Sequence, residues 1–185
     1  MPIPDYDGII SALPPHLGEP GEKVKNLSPY MCTMVELCTK YGTSPERIKL
    51  LQGLLAFRKV LLSEGITGFQ WVAGSFVEDI ELLANRPPDD IDTVTFVDSR
   101  LSKQDIHARE HWSVLGNRKY LKETYGVDHF TLPLSTEPLL LVNAAKYWYG
   151  LFTHRHDRTW KGILCVKLTD KDDDAEAEKL ISGAR

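Results

Sequence analysis

Apolar side chains recur at helical spacing in two early segments. Met31, Met34, Val35 and Cys38 share one face of a predicted helix that Ser28 and Pro29 open and Gly42 ends. Ile48, Leu51, Leu55 and Leu62, widened by Leu54 and Leu61, form the stripe of a second helix. It starts at Ser44-Pro45-Glu46 and leaves at Gly65. Beyond Gly65 the pattern shortens. Phe69 to Ala73 reads as a strand, Gly74-Ser75 as a turn and Phe76 to Leu83 as a short helix. Asn85 to Asp89 is a loop, and the β-branched run Ile91 to Val97 is a second strand. Ser102, with Asp105 three residues on, opens a helix toward Leu115 that breaks at Gly116-Asn117 and resumes to Thr124. Val127 to Leu132 is a third strand, Pro138 to Phe152 a helix, and Gly162 to Leu168 a fourth strand. The order β-α-β-α-β-α-β after two helices predicts an α/β or α+β domain.

The ends of the chain differ from this body. Residues 1–27 carry five prolines and three glycines, which predicts an extended or irregular arm. Residues 169–185 hold the acidic run Asp170 to Glu178 and read as a flexible tail that favours solubility. The domain proper is therefore expected over 28–168. With 185 residues, 42% of them hydrophobic and 26% charged, the chain fits a single folded domain. Its 22 Lys and Arg against 26 Asp and Glu argue against nucleic-acid or membrane binding through bulk charge. No apolar run reaches the length of a membrane span. The opening residues show no basic segment followed by an apolar core, and the three cysteines are too few and uneven for a disulfide framework. The expectation is a cytoplasmic protein. Cys38 belongs to the first helix's core stripe with Cys32 beside it, in place of redox or metal chemistry.

The chemistry-bearing residues lie around the second strand. Residues two apart on a strand face the same way, so Asp90 and Asp92 present paired carboxylates where that strand begins. Gly74-Ser75, at the end of the preceding strand, offers backbone N–H groups that approach a phosphate without a Cβ between. Carboxylates facing such a turn suit Mg²⁺ held between protein and polyphosphate oxygens. Asp-x-Asp alone is common, and Pro87-Pro88-Asp89-Asp90 is ordinary turn chemistry. A third carboxylate, Asp128, interrupts the apolar third strand, where a lone Asp is costly without a partner or a metal.

Gly74, Ser75, Asp90, Asp92 and Asp128 together resemble the signature of the DNA polymerase beta-like nucleotidyltransferase superfamily. The chain is more closely similar to small stand-alone bacterial minimal nucleotidyltransferase-like proteins. That likeness rests on Leu13-Pro14-Pro15, on Arg47 to Leu54, and on Lys161-Gly162-Ile163-Leu164, and it spans roughly residues 13 to 168. The fourteen residues from Phe76 to Asp89 make a longer spacer than minimal members have. The resemblance implies a mixed sheet of about four to five strands flanked by helices. It also implies transfer of a nucleoside monophosphate from an NTP such as ATP to a hydroxyl of RNA or protein. Asp90, Asp92 and Asp128 would hold Mg²⁺ or Mn²⁺ and form the catalytic set. Gly74, Ser75 and Lys161 would contact the nucleotide.

Other segments are weaker. Thr153 to Arg158, ahead of Trp160, is a polar loop that could hold a phosphate or a base but reads more simply as solvated. His154 and His156 lack a third metal ligand at suitable spacing. Trp112 and Trp148-Tyr149 read as core. The alternative function is a partner-binding, antitoxin-like module of a toxin-antitoxin or phage-defence pair, with a protein partner from a neighbouring gene and little or no catalysis. The small size and the lack of an obvious acceptor-binding domain favour it. A degenerate fold that binds nucleotide without turnover is the third possibility.

Overall fold

The computed structural model describes residues 3–19, 23, 26–98, 116–169 and 171–183. The helix expected from Ser102 and Asp105 to Leu115 lies outside the described residues. Five strands form one mixed sheet: β1 (Tyr30–Cys32), β2 (Gly68–Ala73), β3 (Ile91–Val97), β4 (Val127–Pro133) and β5 (Leu164–Leu168). Their order is β1-β5-β2-β3-β4. The outer pairs β1/β5 and β3/β4 are parallel, and β2 runs antiparallel to β3 and β5. The helices are α1 (Met34–Tyr41), α2 (Pro45–Ser63), α3 (Ile80–Ala84), α4 (Arg118–Tyr125), α5 (Pro138–Phe152) and α6 (Lys171–Ser182), with a 3₁₀ turn at Ser75–Val77. This is the expected α+β class, with a mixed sheet flanked by helices.

Alternation along the strands divides the interior in two. Ile91 and Val97 of β3, Val72 of β2, and Leu164, Val166 and Leu168 of β5 turn toward α1, α2 and α6. There they meet Met34, Leu37, Leu51, Leu54, Phe57, Leu61, Ala177 and Ile181. Val94 and Phe96 turn the other way, toward Leu132, Phe152 and the partly buried Trp71, Phe130 and Trp148. The second core is thinner. Its covering helix α5 leaves Leu139, Leu140, Val142, Tyr147 and Leu151 more than half exposed.

Two expectations are corrected. Ser28-Pro29 does not open a helix. Tyr30 to Cys32 pair with β5, and the Ser28 hydroxyl accepts a hydrogen bond from the Ile163 amide. Met31 therefore lies on the exposed side of a strand. The first helix begins at Met34, capped by Thr33, whose hydroxyl accepts from the Glu36 amide while Glu36 reaches back to the Thr33 amide.

The acidic tail is not a loose end either: it contains α6. Asp173 accepts hydrogen bonds from the Met34 and Val35 amides at the start of α1, and Ala177 and Ile181 are buried. Asp174 pairs with Arg58, whose side chain is 1% exposed, at 2.7 Å. Arg58 also donates to Gln70 Oε1 and to the Lys167 carbonyl, both at 2.8 Å. A buried guanidinium has to place its donors and its charge, and the acidic run supplies the counter-charge. The N-terminal arm is irregular, as expected, but it is docked: Ile3, Ala12 and Leu13 are buried, and the Gly162 amide donates to the Leu13 carbonyl.

Candidate functional site

The site forms where β2 ends and β3 and β4 begin. Gly126 closes α4 in the left-handed region, at φ 66°, and its carbonyl accepts from the Ile91 amide. That bond sets the parallel register in which Asp92 lies directly beside Asp128. Residues in register on neighbouring strands share a face, so the two carboxylates stand abreast on the α5 side of the sheet. Asp90 stands two residues before Asp92. On the other flank of β3, Ala73 is the register partner of Asp92, and the chain then turns at Gly74 with φ 79°. A Cβ at Gly74 would collide with Asp92 Oδ2, so the turn lies directly against the carboxylate. Ser75 begins the 3₁₀ turn that follows.

The turn is clamped from behind. Lys161, 2% exposed, donates to the Gly74 carbonyl at 2.8 Å and pairs with Glu78 at 2.6 Å. Arg155 pairs with the other oxygen of Glu78 at 2.9 Å and donates to the Ile10 carbonyl of the arm. Arg47 of α2 donates to the carbonyls of Phe76 and Glu78 and pairs with Glu81 at 2.6 Å. Lys161 therefore gives two of its three donors to protein oxygens and supports the turn from inside, where the resemblance would place it on a nucleotide. Arg155 likewise takes the polar loop 153–158 into the framework. Trp160 lies against His16, with ring centroids 5.6 Å apart.

The carboxylates are unequal. Lys122 of α4 pairs with Asp90 at 2.6 Å, and Arg118 grips both oxygens of Asp128 at 2.9 and 2.8 Å. Among the described residues, Asp92 makes no hydrogen bond or ion pair. Burial, then the charges of Asp90 and Asp128, push its carboxyl up to about 6, against the pull of Lys161 and Lys122. The hydrogen bonds to Asp128 and Asp90 hold Arg118 and Lys122 above their ordinary range. Among the described residues, no group of three or more His, Cys, Asp or Glu side chains is gathered tightly enough to hold a metal as it stands. Asp90 and Asp128 are turned to the two cations of α4 instead.

The structure thus brings Asp92, Asp128, Gly74 and Ser75 to one end of the sheet, with Asp90 close enough to act on Asp92, and sets Lys161 behind the turn. Arg118 and Lys122 were not singled out from the sequence. Their signal was a four-residue spacing of cations on the helix leading into the Asp128 strand. Glu78 was also missed, because nothing local marks it as the partner of a lysine 83 positions away.

Fold and site define an α+β domain with a carboxylate pair abreast on one sheet face, closed by a glycine turn. The chain belongs to the family described as "Family of unknown function (DUF6932)", whose model matches residues 4–167. That span takes in the docked arm as well as the sheet. No curated protein and no solved structure matches the chain. Among the described residues, no helix is long and apolar enough to cross a membrane.

Proposed function

We propose that the protein is a divalent-metal-dependent nucleotidyltransferase that moves a nucleoside monophosphate from an NTP to a hydroxyl of RNA or protein. The observation that carries this reading is the placement of Asp92 and Asp128 abreast on one sheet face with Gly74 against Asp92. The donor chemistry fits a hard cation. The three candidate ligands are carboxylates, and Asp92, with no ion pair among the described residues, is pushed up first by burial and then by its anionic neighbours. Asp90, Asp92 and Asp128 would hold Mg²⁺ or Mn²⁺, whose chemistry there is to neutralise charge on the transferred phosphoryl group. The Gly74-Ser75 turn, held rigid by Lys161, Glu78 and Arg47, would offer its backbone to the phosphates. In the transfer the acceptor oxygen bonds to the α-phosphorus, the bond to pyrophosphate breaks, and the hydroxyl proton passes to a carboxylate of the site.

The test is incubation with each labelled NTP, Mg²⁺ and total RNA or cell lysate, beside an Asp92→Asn control. Label on a macromolecule with wild type and not with the control is expected. No label with any NTP, or equal label with the control, overturns the proposal.

A second reading, a partner-binding module with little catalysis, is favoured by α5. Leu139, Leu140, Val142, Tyr147 and Leu151 are each more than half exposed on this one helix. Under that reading Asp92→Asn leaves partner affinity unchanged.

A further inference from the structure

Two cations of one helix answer the outer carboxylates. Arg118 and Lys122 stand four residues apart on α4 and project from the same side of it. Their side chains are 54% and 53% exposed, while Asp128 and Asp90 beneath them are 17% and 14% exposed. Long, solvated arms thus reach down to sunken anions. Three carboxylates against these two cations leave the cluster one charge negative. The Arg118 guanidinium carbon also lies 4.0 Å from the Phe130 ring centroid, a cation–π contact that does not depend on its hydrogen bonds to Asp128.

This pairing lasts only while nothing else neutralises the carboxylates. Once a divalent cation took their oxygens, Arg118 and Lys122 would lose their counter-charges while α4 kept them at the end of the sheet where Asp92 and Asp128 lie. An anion with several oxygens is then the complementary ligand, and a guanidinium meets phosphate oxygens in pairs. We infer that Arg118 and Lys122 are polyphosphate ligands: they cover the carboxylates while no metal is bound, and turn to the substrate's phosphate oxygens when metal replaces them. This rests on the metal-site reading above.

Two titrations of wild type and R118Q/K122Q test it: Mn²⁺ alone, followed by electron paramagnetic resonance, and inorganic tripolyphosphate at saturating Mn²⁺, followed by calorimetry. The variant is expected to bind Mn²⁺ about two- to fivefold more tightly, because the competing ion pairs are gone. It is expected to bind tripolyphosphate at least about tenfold more weakly, because two charge-assisted contacts are lost. R118K/K122R, which keeps both charges, should recover most of the tripolyphosphate affinity. The single variants carry part of each effect and replace the double one if it melts early. Weaker Mn²⁺ binding by the variant, or unchanged tripolyphosphate binding, overturns the inference and leaves the metal site standing. No Mn²⁺ binding by either protein overturns the metal site and the inference together.

Discussion

Asp92→Asn should make the metal-free protein more stable at neutral pH, although it removes a charged group from the centre of the site. Asp92 is raised from 3.8 to about 6, first by burial and then by Asp90 and Asp128. A carboxyl whose pKa is higher in the folded state binds its proton more tightly there than in the unfolded chain. Its contribution is therefore greatest below pH 4 and is lost as pH rises through 6. Roughly two pK units correspond to about 3 kcal/mol, an upper value for the penalty that ionised Asp92 imposes at pH 7.5. Asn has the same shape, still clears Gly74 and carries no charge. For a chain of this length the gain amounts to roughly 5–10 °C in melting temperature.

The assay is urea and thermal unfolding of both proteins, in chelator, at pH 4 and pH 7.5. The difference between them is the quantity to read, because His129 tilts the wild-type curve the other way. Burial pushes His129 down to about 3, so its contribution is lost as pH falls from 6.5 toward 3. The variant should lead at pH 7.5 and the gap should close at pH 4. A less stable variant at pH 7.5, or a gap that ignores pH, refutes the reasoning. Mg²⁺ should stabilise wild type more than the variant, since binding to the folded state alone raises stability.

Gly74→Ala should cost at least about 1–3 kcal/mol, from a positive φ and a Cβ in the space of Asp92 Oδ2; adding Asp92→Ala should recover part of it, read by urea unfolding as a double-mutant cycle. Asp174→Ala should cost about 3–5 kcal/mol, because it leaves Arg58 buried without its counter-charge, and the shift in urea midpoint measures it. Lys161→Ala should cost about 3 kcal/mol by unpairing the Gly74 carbonyl and one oxygen of Glu78, and should loosen the turn enough to raise amide exchange at Ser75 and Phe76. An unchanged exchange rate at those amides would remove Lys161 from any role in holding the turn.

The sequence by itself determined what depends on near neighbours. A helical stripe located α2, a β-branched run located β3, and Pro138 and Pro133 marked the start of α5 and the end of β4, because such periods and breakers are written locally. The same two-residue period put Asp90 and Asp92 on one face, and the apolar run around Asp128 marked it as needing a reason. Tertiary structure decided everything that joins distant segments. Tyr30 to Cys32 became a strand because β5, some 130 residues later, offered an edge, and three residues carry too little periodicity to announce that. The acidic tail packs as a helix because Asp174 pairs with the buried Arg58 and Ala177 and Ile181 join the core, facts of α2 and the sheet and not of the tail alone. The register that sets Asp92 beside Asp128 comes from the Gly126 carbonyl meeting the Ile91 amide. Lys161 is the plainest case. The resemblance placed it on a nucleotide, whereas the fold buries it, ahead of β5, against Glu78, and a charge buried with a partner is held in place where an exposed one is free to bind.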